Sequence, residues 1–166
     1  TRGDTSVNAA INYFESETRR DDRLAVVVAM VRSAVHDRNR GLRDPAGMEG
    51  TLKIYIAANF REQRRLRPIR DQLWSLGHEV VSSWLDETPK VAAMTSDEFA
   101  RKTAMKDLAE IKQADLLILD TTRAFTPESS GGREVEYGYA LGHFQTKLVF
   151  IVGPKRSAFH ALADRH

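Results

Sequence analysis

The sequence predicts an α/β protein: a Rossmann-like or flavodoxin-like parallel sheet of four to five strands flanked by helices, preceded by an N-terminal helical extension. Three observations predict it. After residue 50, short apolar runs alternate with stretches of helical periodicity. One of those runs, Asp115-Leu116-Leu117-Ile118-Leu119-Asp120, is continuously apolar between its two acids, the pattern of a strand covered on both faces. The breaker-rich stretch with Gly41, Pro45, Gly47 and Gly50 separates this alternation from a purely helical pattern before it.

The elements follow in order. Residues 5 to about 40 read as helical, with apolar positions at Val7, Ala10, Ile11 and Phe14 and again from Leu24 to Val35; Asp21 and Asp22 mark a second helix start. Gly41, Pro45, Gly47 and Gly50 form a breaker-rich linker, so the chain divides into an extension over 1–48 and an α/β domain over 49–166. The first strand is Leu52 to Ala57. A helix over Arg61 to Leu76 carries Leu66, Ile69, Leu73 and Leu76 on one side and stops at Gly77. His78 to Ser82 is the second strand. Ser96 to Gln113 is a helix with Ser96 as N-cap. Asp115 to Asp120 is the third strand, Gly132 to Phe144 a helix, and Lys147 to Val152 the fourth strand. A last helix opens over Ser157 to Leu162.

Composition excludes several classes. The chain has 166 residues, 42% hydrophobic and 29% charged, and a net charge of +2, an ordinary balance for a domain with a real core. It has no cysteine, which excludes a disulfide scaffold, a thiol nucleophile and a Cys-ligated zinc site. The apolar runs Leu24 to Val31 and Leu148 to Val152 are too short to span a bilayer, and no secretory signal opens the chain, so a cytoplasmic protein without membrane contact is expected. The basic cluster Arg61 to Arg70 is interrupted at helical spacing and reads as a solvated helix face, so no polymeric nucleic acid is expected as a partner. The five histidines show no ligand spacing, and neither a metal nor a cofactor is expected. GxGxxG and GxxxxGK[ST] are both missing, which disfavours a dinucleotide or P-loop site.

In a parallel sheet of this kind, ligands bind beyond the C-terminal ends of the strands, and two loops there carry candidate chemistry. The first is Ser129-Ser130-Gly131-Gly132-Arg133-Glu134-Val135-Glu136, whose glycines let backbone N–H groups approach an anion or hydroxyls. Glu134 and Glu136, two residues apart, cannot share a helical face, so one of them is expected in the cleft; acids at a helix start also simply favour the dipole, and the motif alone leaves both readings open. The second is Tyr55 to Arg61, where Arg61 is placed to hold a phosphate or carboxylate and Asn59 either caps a helix or binds a sugar hydroxyl. Asp107, within a helix, reads by itself as a surface residue. Asp115 and Asp120 read as helix-exit and loop-capping residues. Trp84 is either one wall of a base pocket or a packed core residue.

Five segments together, KIYIAANFRE, LGHEVVSSWLDE, KDLAEIKQADLLILDTT, SSGGREVEYGYALG and VGPKRSAFHAL, resemble the nucleoside 2-deoxyribosyltransferase family and its nucleotide N-glycosidase relatives over about Lys53 to Leu162. The resemblance implies that Glu136 is the nucleophile, that Asp107 assists the leaving base, and that Tyr55 orients the nucleophile. Ser130 stands where transferases carry an aspartate for the 5′-hydroxyl; a serine there is what monophosphate hydrolases have, and it implies a 5′-phosphate held by Arg61, Ser130 and the N–H groups of Gly131 and Gly132. The resemblance also implies a homodimer or higher homo-oligomer; the sequence departs from the family at His166, where members usually add a further strand and helix, so a fifth strand is left open. The expected reaction is cleavage of the N-glycosidic bond of a (2′-deoxy)nucleoside or its 5′-monophosphate, with retention, by base exchange or hydrolysis. A non-catalytic nucleotide-binding or interaction module is the alternative of another class.

Overall fold

The computed structural model describes residues 25–33, 35, 51–88, 97–123, 131–143 and 148–164. The helix expected before residue 24, the linker over 41–50, the N-cap Ser96 and the loop residue Ser130 lie outside these. Four strands form one parallel sheet: β1 (Lys53–Ala57), β2 (Glu79–Val80), β3 (Leu116–Asp120) and β4 (Leu148–Val152), in the order β2-β1-β3-β4. Tyr55 lies opposite Leu117, and Leu117 opposite Val149. This is the flavodoxin-like order, and the direction of winding reverses between β1 and β3. All five residues of β3 are buried, as its uninterrupted apolar run predicts.

The helices are α1, described over 25–33, α2 (Gln63–Ser75), α3 (Asp97–Gln113) and α4 (Gly132–Leu141). Val27 and Val31 of α1 belong to the same buried cluster as Ile54, Leu73, Leu117 and Phe150. Leu66, Ile69 and Leu73 form the buried stripe of α2, at the spacing read from sequence. That helix closes where Gly77 N–H reaches Trp74 O (2.9 Å) and His78 N–H reaches Leu73 O (3.1 Å), a Schellman closure.

Three elements differ from the sequence reading. A 3-10 turn over Phe60–Glu62 precedes α2, because Asn59 caps it: the Asn59 side chain accepts from Arg61 N–H at 3.0 Å. The second strand is shorter than 78–82. Beyond Val80, side chains replace the backbone ladder: Ile56 N–H donates to Ser82 Oγ (2.5 Å), and Trp84 Nε1–H donates to Ile56 O (2.9 Å). The expected last helix is a 3-10 turn, Ala158–Leu162. Behind it Asp164 covers the β4 edge, donating N–H to Val149 O (2.8 Å) and accepting Val149 N–H on Oδ2 (2.7 Å). Among the described residues no helix is long and apolar enough to cross a membrane.

Candidate active site

Helices α3 and α4 both pack on β1 and on each other, and the candidate chemistry lies where the three meet. Strand β1 buries Tyr55 completely, and its hydroxyl donates to Oε1 of Glu136 on α4 at 3.2 Å. Burial first, and then the charges of Glu136, Asp107 and Glu110, raise the Tyr55 pKa, so the phenol stays a neutral donor. The Glu136 carboxyl is pushed up to about 7, by burial first and by the charges of Asp107 and Glu110, with the Tyr55 hydrogen bond pulling the other way.

Helix geometry separates the two acids of the glycine-rich motif. At about 100° per residue, positions 134 and 136 project on nearly opposite sides of α4. Glu136 takes the Tyr55 side. Glu134 turns the other way and binds the buried His160 at 2.9 Å. Arg156 N–H donates to His160 Nδ1 (3.0 Å), so the neutral imidazole carries its proton on Nε2 and donates it to Glu134. Gly131, at φ +70°, is the N-cap of α4, a left-handed conformation that favours glycine. A cavity of about 520 Å³ opens on the Glu134 side of α4, lined by Arg133, Tyr137, Leu141 and Phe159 among others; Glu136 is not among its walls.

Asp107 of α3 is not the surface residue its mid-helix position suggests: its side chain is 16% exposed, and among the described residues its Oδ1 makes no hydrogen bond, only a long ion pair. Burial, with the charges of Glu110 and Glu87, raises its pKa to about 6 against the opposing pull of Lys106. Lys106 Nζ lies 3.5 Å from Asp107 Oδ1. The same ammonium donates to Ser83 Oγ (2.9 Å) and pairs with Glu87. Ser83 in turn donates its hydroxyl (2.5 Å) and its N–H (3.2 Å) to the Glu110 carboxylate. Two acids with raised pKa values beside a neutral phenol are suited to attack at an electrophilic carbon coupled to proton transfer.

The remaining sequence candidates are placed as follows. Asn59 acts as the cap described above, and Arg61 is exposed beside it. Trp84 is 5% exposed, bonded to Ile56 O and 6.2 Å from the Phe60 ring, which is the packed position of its two readings. Gly131 and Gly132 lie at the N-terminus of α4. Asp120 caps the turn after β3, accepting from Thr122 N–H (2.9 Å) and Thr122 Oγ1 (2.5 Å).

Sequence reasoning missed the ionic network at the switch point. Arg65 bridges the buried Glu62 (2.6 Å) and Asp120 (2.5 Å), and Arg123 also pairs with Glu62 (2.7 Å). The basic cluster is therefore not wholly a solvated face. Arg65 joins two strand ends, and the buried Arg70 pairs with Asp86 (2.5 Å) while lying 4.5 Å over the Trp74 ring. Glu62 and Arg65, three apart on one face, were legible as a pair; Asp120, 55 residues away, was not. Among the described residues no group of three or more His, Cys, Asp or Glu is arranged to hold a metal ion.

The fold is thus a four-stranded parallel α/β sheet of Rossmann-like type, with its acidic cluster on one face. The chain matches no protein-family model and no curated protein. Among solved structures it is similar to the Clostridium botulinum CMP N-glycosidase BcmB, at 17% sequence identity and a TM-score of 0.43, over 69% of this chain and 85% of that one.

Proposed function

We propose that this chain cleaves the N-glycosidic bond of a (2′-deoxy)nucleoside or its 5′-monophosphate, with Glu136 as nucleophile, Asp107 as acid and Tyr55 as orienting donor. The observation that carries this reading is the Tyr55–Glu136 hydrogen bond beside the largely enclosed Asp107, a set drawn from three separate elements. A Glu136 oxygen attacks the anomeric carbon as its bond to the base nitrogen breaks, and the bonding pair leaves with the base. Asp107 gives that nitrogen a proton. Water, deprotonated by Asp107, or a second base then attacks the same carbon and releases Glu136, so the configuration is retained.

The raised pKa values suit this sequence. Near neutrality the pair keeps a proton, and positive charge building on the sugar favours ionised Glu136, which drives the proton to Asp107. A 5′-phosphate would be held by the exposed Arg61, Ser130 and the N–H groups that open α4 at Gly131 and Gly132.

The test incubates the protein with deoxynucleosides and with their monophosphates, with and without a second base, and follows free base by chromatography. Release from monophosphates alone identifies a nucleotide hydrolase; exchange identifies a transferase. Glu136→Gln is expected to lower either rate about a thousandfold or more. If no substrate releases or exchanges base, or if Glu136→Gln keeps the full rate, the catalytic reading is wrong and a binding module remains.

A further inference from the structure

We propose that Lys106 is a positioning residue of this site: its ammonium ties the loop Ser83–Glu87 to α3 and sets the charge carried by Asp107. The inference rests on Asp107 being the acid of the proposed reaction. Lys106 Nζ touches three groups at once, Asp107 Oδ1 at 3.5 Å, Ser83 Oγ at 2.9 Å, and the Glu87 carboxylate. Two of these lie on the loop after β2 and one on α3 itself.

The charged and titratable groups around Asp107 come from every element packed there: Tyr55 from β1, Glu87 from the loop, Lys106 and Glu110 from α3, and Glu136 from α4. Glu87 and Glu110 raise the Asp107 pKa, and Asp107 in turn raises those of Tyr55 and Glu136; the cation that offsets the carboxylates is Lys106. Its side chain is only about one-third exposed, 34%, so solvent screens it incompletely. Because Lys106 is shared with Glu87, its hold on Asp107 depends on the loop. A rigid clamp at Ser83, which also binds Glu110 through two hydrogen bonds, keeps that division of charge constant.

The test titrates the Asp107 side-chain carboxyl by ¹³C NMR in the full chain without substrate, and measures the pH profile of base release in parallel. Lys106→Met is expected to raise the Asp107 midpoint by about one pH unit, and Lys106→Arg to restore it. Asp107 must be protonated to serve the leaving base, so the alkaline limb of kcat/KM is expected to move upward with it. Should Lys106→Met not fold, Glu87→Gln gives the opposite sign: with one carboxylate gone and Lys106 released toward Asp107, the midpoint is expected to fall. A midpoint that stays put in Lys106→Met, or fails to fall in Glu87→Gln, overturns the proposal. A midpoint that moves while the protein releases no base, or while the alkaline limb stays fixed, supports the role of Lys106 and counts instead against Asp107 as the acid.

Discussion

The Tyr55 hydroxyl on β1 donates to Glu136 Oε1 on α4 at 3.2 Å, joining residues 81 positions apart. Tyr55 is fully buried, and its raised pKa keeps the proton on the phenol, so toward the ionised carboxylate the hydroxyl is the donor. It stabilises the ionised form of Glu136 and fixes one of its oxygens.

Tyr55→Phe removes that donor and little volume. A hydrogen bond to a charged group contributes about 1.5–3 kcal/mol, so kcat/KM is expected to fall about 10- to 100-fold. The Glu136 pKa, already about 7, rises further without the bond. In the proposed reaction the acid limb of the rate profile, which follows ionisation of Glu136, is therefore expected to move to higher pH. An acid limb unchanged in steady-state profiles would contradict the role given to the hydroxyl.

The same carboxyl makes stability depend on pH. Its folded-state pKa, about 7, lies above the ordinary 4.5, so the folded protein binds this proton more tightly than the unfolded chain does. The stabilisation is complete below about 4.5 and is lost as pH rises through about 7. Glu136→Gln is therefore expected to be more stable than the parent at about pH 8, by on the order of 3 kcal/mol, and the gain should vanish near pH 4. Urea melts at the two pH values measure this. Asp107→Asn, with the same sign of shift, is expected to stabilise by less.

Arg65→Met leaves Glu62 and Asp120 without their shared cation, with side chains 7% and 5% exposed. Removing one partner from a buried ionic set costs about 3–5 kcal/mol. Arg123 still reaches Glu62, so the loss is expected near the lower figure. Chemical denaturation reads it directly, and a loss below about 1 kcal/mol would show the network to be solvent-screened.

Gly153→Ala is expected to destabilise by about 2–4 kcal/mol. Gly153 sits at φ +111°, and a methyl group there would meet Thr122 N at 2.6 Å and Thr121 Oγ1 at 2.9 Å. The turn after β4 presses against the turn after β3, so neither backbone can yield alone. A thermal midpoint within a degree or two of the parent would refute this close approach.

Apolar pattern made much of the fold legible. The uninterrupted run of β3 predicts its central, doubly covered place, and the 3.6-residue spacing of Leu66, Ile69 and Leu73 predicts the buried face of α2, because both patterns are set by what water excludes. Strand β2 was overestimated because Ser82 and Trp84 satisfy β1 with side chains, which no strand pattern records.

For the site, the spacing of Glu134 and Glu136 by itself determined that they could not share a side of α4, since residues two apart on a helix lie roughly 200° around its axis from each other. Which side each took was decided by tertiary structure: Tyr55 meets Glu136 on one side of α4 and His160 meets Glu134 on the other. Asp107 shows the same division. The sequence by itself placed it mid-helix, where most carboxylates meet water; only the packing of α3 and α4 on β1 enclosed it, and burial beside other carboxylates raised its affinity for a proton. Local periodicity determines which residues turn inward. Charge states depend on distances between segments that the chain brings together only when folded.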